Sequence, residues 1–297
     1  MSPKFGLLWS SLSVRFIAEK HSVFEERWFS MKLQLTLVQM PCVEGDREVN
    51  YEWARGLLRN HKSTENLEFI VLPELFDIGF RYEDYSEAGS GIPGPTSEFL
   101  QNLAEEYSSY VVGTGLEGTK SLFFNTLVMA SPEGKTIGTY RKIHPFQSER
   151  DVFAGGEMLA LLRIKGVKVG VEICYDVRFP EVSRKLALEG AELILIPAAF
   201  PDPRVAHWDS LVMARAIENQ LFVAAANRVG HSFDGKTYFG HSQVVDPWGV
   251  RLTRINSENE VFTSQIDTAM IKSVREQITC YADIAPEGYD RIQWFNE

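Results

Sequence analysis

The stretch "VKVGVEICYDVRFPE", Val167–Glu181, decides the fold. Its first half is an apolar run with alternating valines, the pattern of a strand. Its second half is a polar turn leading to Pro180, a residue suited to the first turn of a helix. A strand that stops in a turn and restarts as a helix is the repeating unit of layered α/β proteins. Cys174 stands at the junction. It reads either as a small buried hydrophobe or as a thiol at the carboxyl edge of a strand, where reactive groups gather in such folds.

Outward from this stretch the unit recurs. Predicted strands cover Leu33–Gln39, Glu68–Pro73, Tyr110–Leu116, Leu122–Ala130, Thr136–Tyr140, Val167–Cys174, Leu193–Pro197, Phe222–Arg228, Tyr238–Asp246 and Val261–Ile266. Several, such as "FIVLP" and "LILIP", are continuously apolar, which suits strands covered on both faces. Amphipathic helices are predicted over Arg47–Asn60, Pro95–Tyr107, Pro180–Glu189 and His207–Gln220. "SPEGKT" and "DPWGV" read as turns between paired strands. Alternation mixed with hairpins implies two mixed sheets packed together with helices outside.

Bulk properties exclude several function classes. The 297 residues carry a formal net charge of −10, which argues against a phosphate backbone or an anionic membrane as partner. No run is long and apolar enough to span a bilayer. The three cysteines, Cys42, Cys174 and Cys280, are scattered and form no CxxC, so they read as free thiols in a reducing, cytoplasmic compartment. The histidines make no HExxH pair, and no metal site is expected. Residues 1–30 read as an N-terminal extension, disordered or preceding the true start, because "MKLQLTLVQM" at Met31 runs straight into a strand. A transit peptide is the other reading of that segment. Residues 31–297 read as one domain.

Three polar residues stand at strand ends: Glu74 after "FIVLP", Lys142 after "TIGTYR", and Cys174. Glu74 is a solvated loop carboxylate or, flanked by Pro73 and Leu75, a desolvated general base. Lys142 is a solvated edge residue or a fixed cation for an oxyanion. A thiol needs such a base or cation to become a nucleophile.

Together these residues resemble the carbon–nitrogen hydrolase (nitrilase) superfamily, whose signature is a Glu–Lys–Cys triad in that order. The matching stretches are "VLPEL", "YRKIH" and "EICYDVRFPE", supported by "GTGLEG", "ARAIENQ", "ANRVG" and "GHSQVVDPWG". The resemblance implies a four-layer αββα sandwich with Glu74 as base, Cys174 as nucleophile and Lys142 as oxyanion stabiliser. It places the family's second glutamate on Glu117, where it would position Lys142 and the substrate nitrogen, and a backbone N–H donor on Tyr175. It implies a homodimer or higher homo-oligomer, and chemistry that requires no cofactor.

Within the superfamily "CYDVRFPE" and "AHWDSLVMARAIENQ" are most similar to the ω-amidase and deaminated-glutathione-amidase branches, which act on small carboxylate-bearing amides. Arg178 is the expected carboxylate partner, or else a helix-start ion pair with Glu181. His207 and Trp208 line the pocket or pack the helix. Two departures bear on the substrate: "YRKIHPFQSER", where relatives often read "YRKxHLFD", and a tail, "ITCYADIAPEGYDRIQWFNE", without an arginine-rich ending. Other readings are an N-carbamoyl amino acid hydrolase, a cysteine–histidine hydrolase using His144 or His207, and a catalytically idle scaffold.

Overall fold

The computed structural model of the protein describes residues 30–119, 122–289 and 292–295. The expected extension over residues 1–30 lies, except for Ser30, outside the described residues.

The first sheet has the order β13–β1–β2–β3–β4–β5. Its strands are β1 (Lys32–Gln39), β2 (Leu67–Val71), β3 (Tyr110–Thr119), β4 (Leu122–Ser131), β5 (Lys135–Arg141) and β13 (Glu260–Asp267). β1, β2 and β3 are parallel, and the remaining pairings are antiparallel. The second sheet, β12–β9–β8–β7–β6, repeats the theme. β7 (Val167–Val171), β8 (Leu193–Ala198) and β9 (Phe222–Asn227) are parallel, flanked antiparallel by β6 (Leu161–Ile164) and β12 (Gln243–Val245).

Period-two alternation sorts the residues into layers. Leu35, Leu37, Phe69, Val71, Val112 and Met129 point from the first sheet into the core shared with the second. Their neighbours Ile70, Val111, Val128 and Ala130 point the other way. There they bury the apolar stripes of α1 (Arg47–Leu58) and α3 (Pro95–Glu106). On the far side α4 (Pro180–Leu188) and α5 (Val205–Asn219) cover the second sheet through Leu186, Trp208 and Val212. The result is the expected αββα sandwich. A short α2 (Tyr85–Ala88), α6 (Ala269–Gln277) and α7 (Pro286–Tyr289) complete the helices among the described residues.

The differences from the sequence reading are local. The strand expected to reach Cys174 ends at Val171; Glu172 N–H still donates to Leu195 O, and Cys174 then opens a 3-10 turn through Arg178. The single strand expected over Tyr238–Asp246 is two. β11 (Thr237–Phe239) pairs with β10 (Val229–His231) in a separate ribbon, and β12 joins the second sheet. Gly240 and His241, at φ 73° and 57°, turn the chain between them.

Candidate active site

Three strand ends meet where the two sheets face each other. The chain leaving β2 passes Leu72 and Pro73 and puts Glu74 inside, 1% exposed. Leu75 then turns at φ 43°, held by its N–H donating to Thr114 Oγ1 at 2.7 Å. Three donors fix the Glu74 carboxylate. Lys142 Nζ (2.6 Å) and Asn125 Nδ2 (2.8 Å) donate to Oε1, and Ala199 N–H, just past β8, donates to Oε2 at 3.0 Å.

Lys142 follows β5 directly and is as buried as Glu74. Its second partner is Glu149 Oε2 at 2.8 Å. Glu149 comes from the 3-10 turn Gln147–Asp151, and the same oxygen accepts the Phe146 N–H at 3.0 Å. Burial alone would lower the Lys142 pKa. The charges of Glu149 and Glu74 outweigh that and hold its pKa well above the ordinary lysine value. The Glu149 carboxyl is pushed up by burial, opposed by Lys142 and assisted by Glu74. Lys142 is therefore a fixed cation clasped by two carboxylates.

Cys174 sits at φ 46°, a left-handed backbone that costs an L-residue about 1 kcal/mol. Burial pushes its thiol pKa well up, and the neighbouring Glu74 adds to this while Lys142 opposes it. Burial and the Glu74 carboxylate beside it thus favour the thiol over the thiolate.

Asp176, fully buried two residues on, ties the turn to the Lys142 segment. Its Oδ2 accepts Tyr140 Oη–H (2.8 Å) and Ile173 N–H (3.0 Å). Oδ1 accepts His144 N–H at 3.1 Å and lies 2.8 Å from His144 Nδ1. Tyr140 and His144 are two residues either side of Lys142, so this one carboxylate sets the spacing of cation and sulfur.

A cavity of about 310 Å³ opens above the sulfur, lined by Cys174, Glu149, Tyr175, Arg178, Phe200 and Arg204 among others. Arg178 faces this space. Its guanidinium lies 5.0 Å from the Phe200 ring centre, with one nitrogen 3.2 Å from His207 Nδ1. Tyr175 packs edge-on against Phe146 and Phe179. His144 does not reach the sulfur: it stacks flat on Phe179 at 3.6 Å and is engaged by Asp176. Neither it nor the exposed His207 lines the cavity, which removes the geometric basis for a cysteine–histidine pair. Trp208 is fully buried and packs on Phe200 at 5.3 Å.

Glu117 is elsewhere. It receives Thr126 Oγ1–H at 2.6 Å and a two-point contact from Arg141, Nε at 2.9 Å and a terminal nitrogen at 2.5 Å. Those bonds hold its pKa below the usual carboxylate value. Cross-strand register explains the placement. Glu117 opposes Phe124, and Thr126 opposes Arg141, so all four share one face. Asn125, and Lys142 just past the end of β5, are offset by one residue and point the other way. Glu117 lines a second cavity of about 480 Å³ that does not include Cys174. The place beside Lys142 expected of Glu117 is held by Glu149.

Glu149, Asp176, Asn125 and Arg204 were not read from the sequence. One signal for Glu149 was available: a buried lysine needs a counter-charge, and Glu149 follows seven residues after it.

Comparison with known proteins shows the family and the fold. The family profile described as carbon–nitrogen hydrolase matches residues 34–276. The chain is 34% identical over 262 residues to the 2-oxoglutaramate amidase of Bacillus subtilis, covering 87% of this chain and 100% of that protein. It is 30% identical over 263 residues to the human omega-amidase NIT2, covering 85% of this chain and 94% of the relative. Among solved structures, XC1258 of Xanthomonas campestris, a CN-hydrolase superfamily protein with an arsenic adduct in its active site, superposes with a TM-score of 0.79. That match is 29% identical and covers 87% of this chain and 98% of the other.

Proposed function

The chain belongs to the carbon–nitrogen hydrolase family and is an amide-hydrolysing enzyme; from that premise we propose a thiol amidohydrolase acting on small carboxylate-bearing amides. The observation that carries the reading is the contact of Glu74 Oε1 with Lys142 Nζ at 2.6 Å, beside Cys174 at the base of the cavity. The relatives named for 2-oxoglutaramate and for omega-amides support a dicarboxylic monoamide as substrate.

The steps follow from the contacts. Glu74 takes the thiol proton as Cys174 Sγ attacks the amide carbonyl. Lys142 Nζ–H and the Tyr175 backbone N–H stabilise the oxyanion in a water-poor site, where such donors act strongly. Glu74 returns the proton to the departing nitrogen, and ammonia leaves an acyl-thioester on Cys174. Water, deprotonated by the same carboxylate, attacks the thioester. The acid departs, and the sulfur recovers its proton. Glu149 keeps Lys142 charged and in place throughout, and Arg178 binds the substrate carboxylate.

The reading extends to a cytoplasmic homodimer or higher homo-oligomer with residues 31–297 as its catalytic domain. Support comes from the free cysteines and from exposed apolar residues Ile217, Trp248, Val250 and Leu252. Sedimentation velocity of the purified chain tests the oligomer.

Ammonia release from 2-oxoglutaramate and succinamate, beside an N-carbamoyl amino acid and with Cys174→Ala in parallel, tests the chemistry. Cys174-dependent release from the dicarboxylic monoamides is expected. Release only from the carbamoyl compound would move the enzyme to another branch of the family. Release that survives Cys174→Ala would end the thiol reading.

A further inference from the structure

The cavity above Cys174 holds more positive charge than the chemistry at its base uses. Arg178, Arg204 and Lys236 all line it, together with the carboxylates Glu149 and Asp202. Glu149 is engaged by Lys142 at 2.8 Å, and Lys236 by Asp234 at 2.5 Å. Among the described residues no carboxylate, Asp202 included, pairs with Arg178 or Arg204. Their neighbours are instead aromatic rings and, for Arg178, His207 Nδ1 at 3.2 Å. Arg178 lies 5.0 Å from the Phe200 ring centre and 6.0 Å from that of Tyr175, and Arg204 lies 5.3 Å from that of Phe146. Aromatic faces orient a guanidinium without neutralising it.

We propose that Arg204, acting with Arg178 across the cavity, seats the distal carboxylate of the substrate and so selects monoamides of dicarboxylic acids over neutral amides. The inference rests on the amidase reading for its substrate class. Two cations facing one cavity repel each other, and an anion between them removes that cost. Burial and the nearby Arg204 charge already lower the pKa of Arg178, as expected where the counter-ion must come from outside.

Position supplies the rest. Arg178 ends the turn that Cys174 begins, and Arg204 ends the loop that leaves β8. Ala199, early in that loop, is the residue whose N–H fixes Glu74. An anion held between the two arginines is therefore registered against both nucleophile and base. Such registration turns carboxylate binding into orientation of the amide at the other end.

The test compares succinamate with butanamide, which carries a methyl group where succinamate carries its carboxylate. Arg204→Gln should lower the ratio of kcat/KM for succinamate to that for butanamide by about 30-fold, the loss of one charge-assisted contact. Most of the change should fall in KM. Arg204→Lys should recover only part, because a point charge cannot reproduce the planar fork. An unchanged ratio in Arg204→Gln would overturn the proposal.

A second measurement does not need turnover. Succinate should slow alkylation of Cys174 by iodoacetamide, followed by peptide mass spectrometry, and Arg204→Gln should abolish that shielding. Shielding that depends on Arg204 in a protein that hydrolyses no amide would sink the amidase reading and keep the carboxylate seat. No shielding of the unmodified protein by succinate would sink the seat even if amides are hydrolysed.

Discussion

Arg141 and Lys142 are neighbours in the chain, and each meets a glutamate, yet the two pairs differ in almost every physical respect. Arg141 lies at the end of β5, its side chain 47% exposed, and grips Glu117 on the outer face of the sheet. Lys142, one residue later, turns to the inner face. There its side chain is 1% exposed and meets Glu74 and Glu149 beside a thiol. An exposed pair of the first kind contributes about 0–1 kcal/mol and is screened by salt. In the second, burial has raised the cost of every charge, so removing one partner strands the others. That arrangement is an unfavourable way to stabilise a fold and a favourable way to stabilise a developing oxyanion. On the proposed function, the same ion-pair chemistry becomes structural or catalytic according to which side of a strand a residue faces.

Substitutions in the two pairs put this contrast at risk, beginning where the effect should be greatest. Glu74→Gln or Lys142→Met should each lower kcat by about 10³-fold or more, since on the proposed mechanism each removes a proton carrier or an oxyanion donor. Ammonia release in steady state measures it, with circular dichroism to confirm folding. If either variant kept a tenth of its activity (about a 10-fold loss, far short of the expected range), the inner pair would be no more catalytic than the outer.

Glu149→Gln should follow with about a 100-fold loss in kcat, because Lys142 keeps Glu74 but loses its larger counter-charge. Asp176→Asn should cost roughly 10-fold, within the range for a residue that positions others. That loss should fall mainly on kcat, with slower alkylation of Cys174. A variant with normal thiol reactivity and normal kcat would show that the spacing of Lys142 and Cys174 is set elsewhere.

A further buried carboxylate sharpens the comparison through stability. Glu172, two residues before Cys174, is fully buried and bonded to Ser183 Oγ, with Oε2 unpartnered. Burial pushes its pKa from 4.5 to about 8, opposed by the Ser183 hydrogen bond and Arg215 and assisted by Asp176 and Glu218. The folded state keeps this proton where the unfolded state releases it. The contribution is therefore complete below the ordinary carboxyl value and is lost as pH rises through about 8. Glu172→Gln, which cannot ionise, should flatten the fall in Tm across that window. Parallel Tm curves for the two proteins would refute the assignment.

The smallest effect is expected on the outer face. Glu117→Gln should change kcat/KM by no more than about twofold and Tm only slightly, as for a surface pair. A loss comparable to that of Glu149→Gln would return Glu117 to the role first read for it.

The framework was legible because it is written in continuous apolar strands such as "LILIP" and in helices with one apolar face. The strand end at Cys174 was legible in outline, but that run alone left the residue either a buried hydrophobe or a reactive thiol, and only the ordered Glu–Lys–Cys stretches favoured the second reading. Glu117 misled because sequence order says nothing of strand parity. A register one residue different would have placed it on the face of Lys142. Glu149 was hidden in a turn whose path is set by Pro145, Phe146 and tertiary contacts, not by periodicity. Arg204 was hidden for a similar reason, since only the packing of the loop after β8 brings it to the cavity that Arg178 also lines.

The central claim is that Cys174 carries the acyl group, and intact-protein and peptide mass spectrometry of rapidly quenched succinamate reactions tests it most directly. The account predicts a transient adduct of the succinyl acyl group on Cys174, absent in Cys174→Ala. It predicts none on exposed Cys280, and none on Cys42, whose buried thiol is pushed up to about 12. Turnover by Cys174→Ala, or an acyl group found on another cysteine, would contradict it.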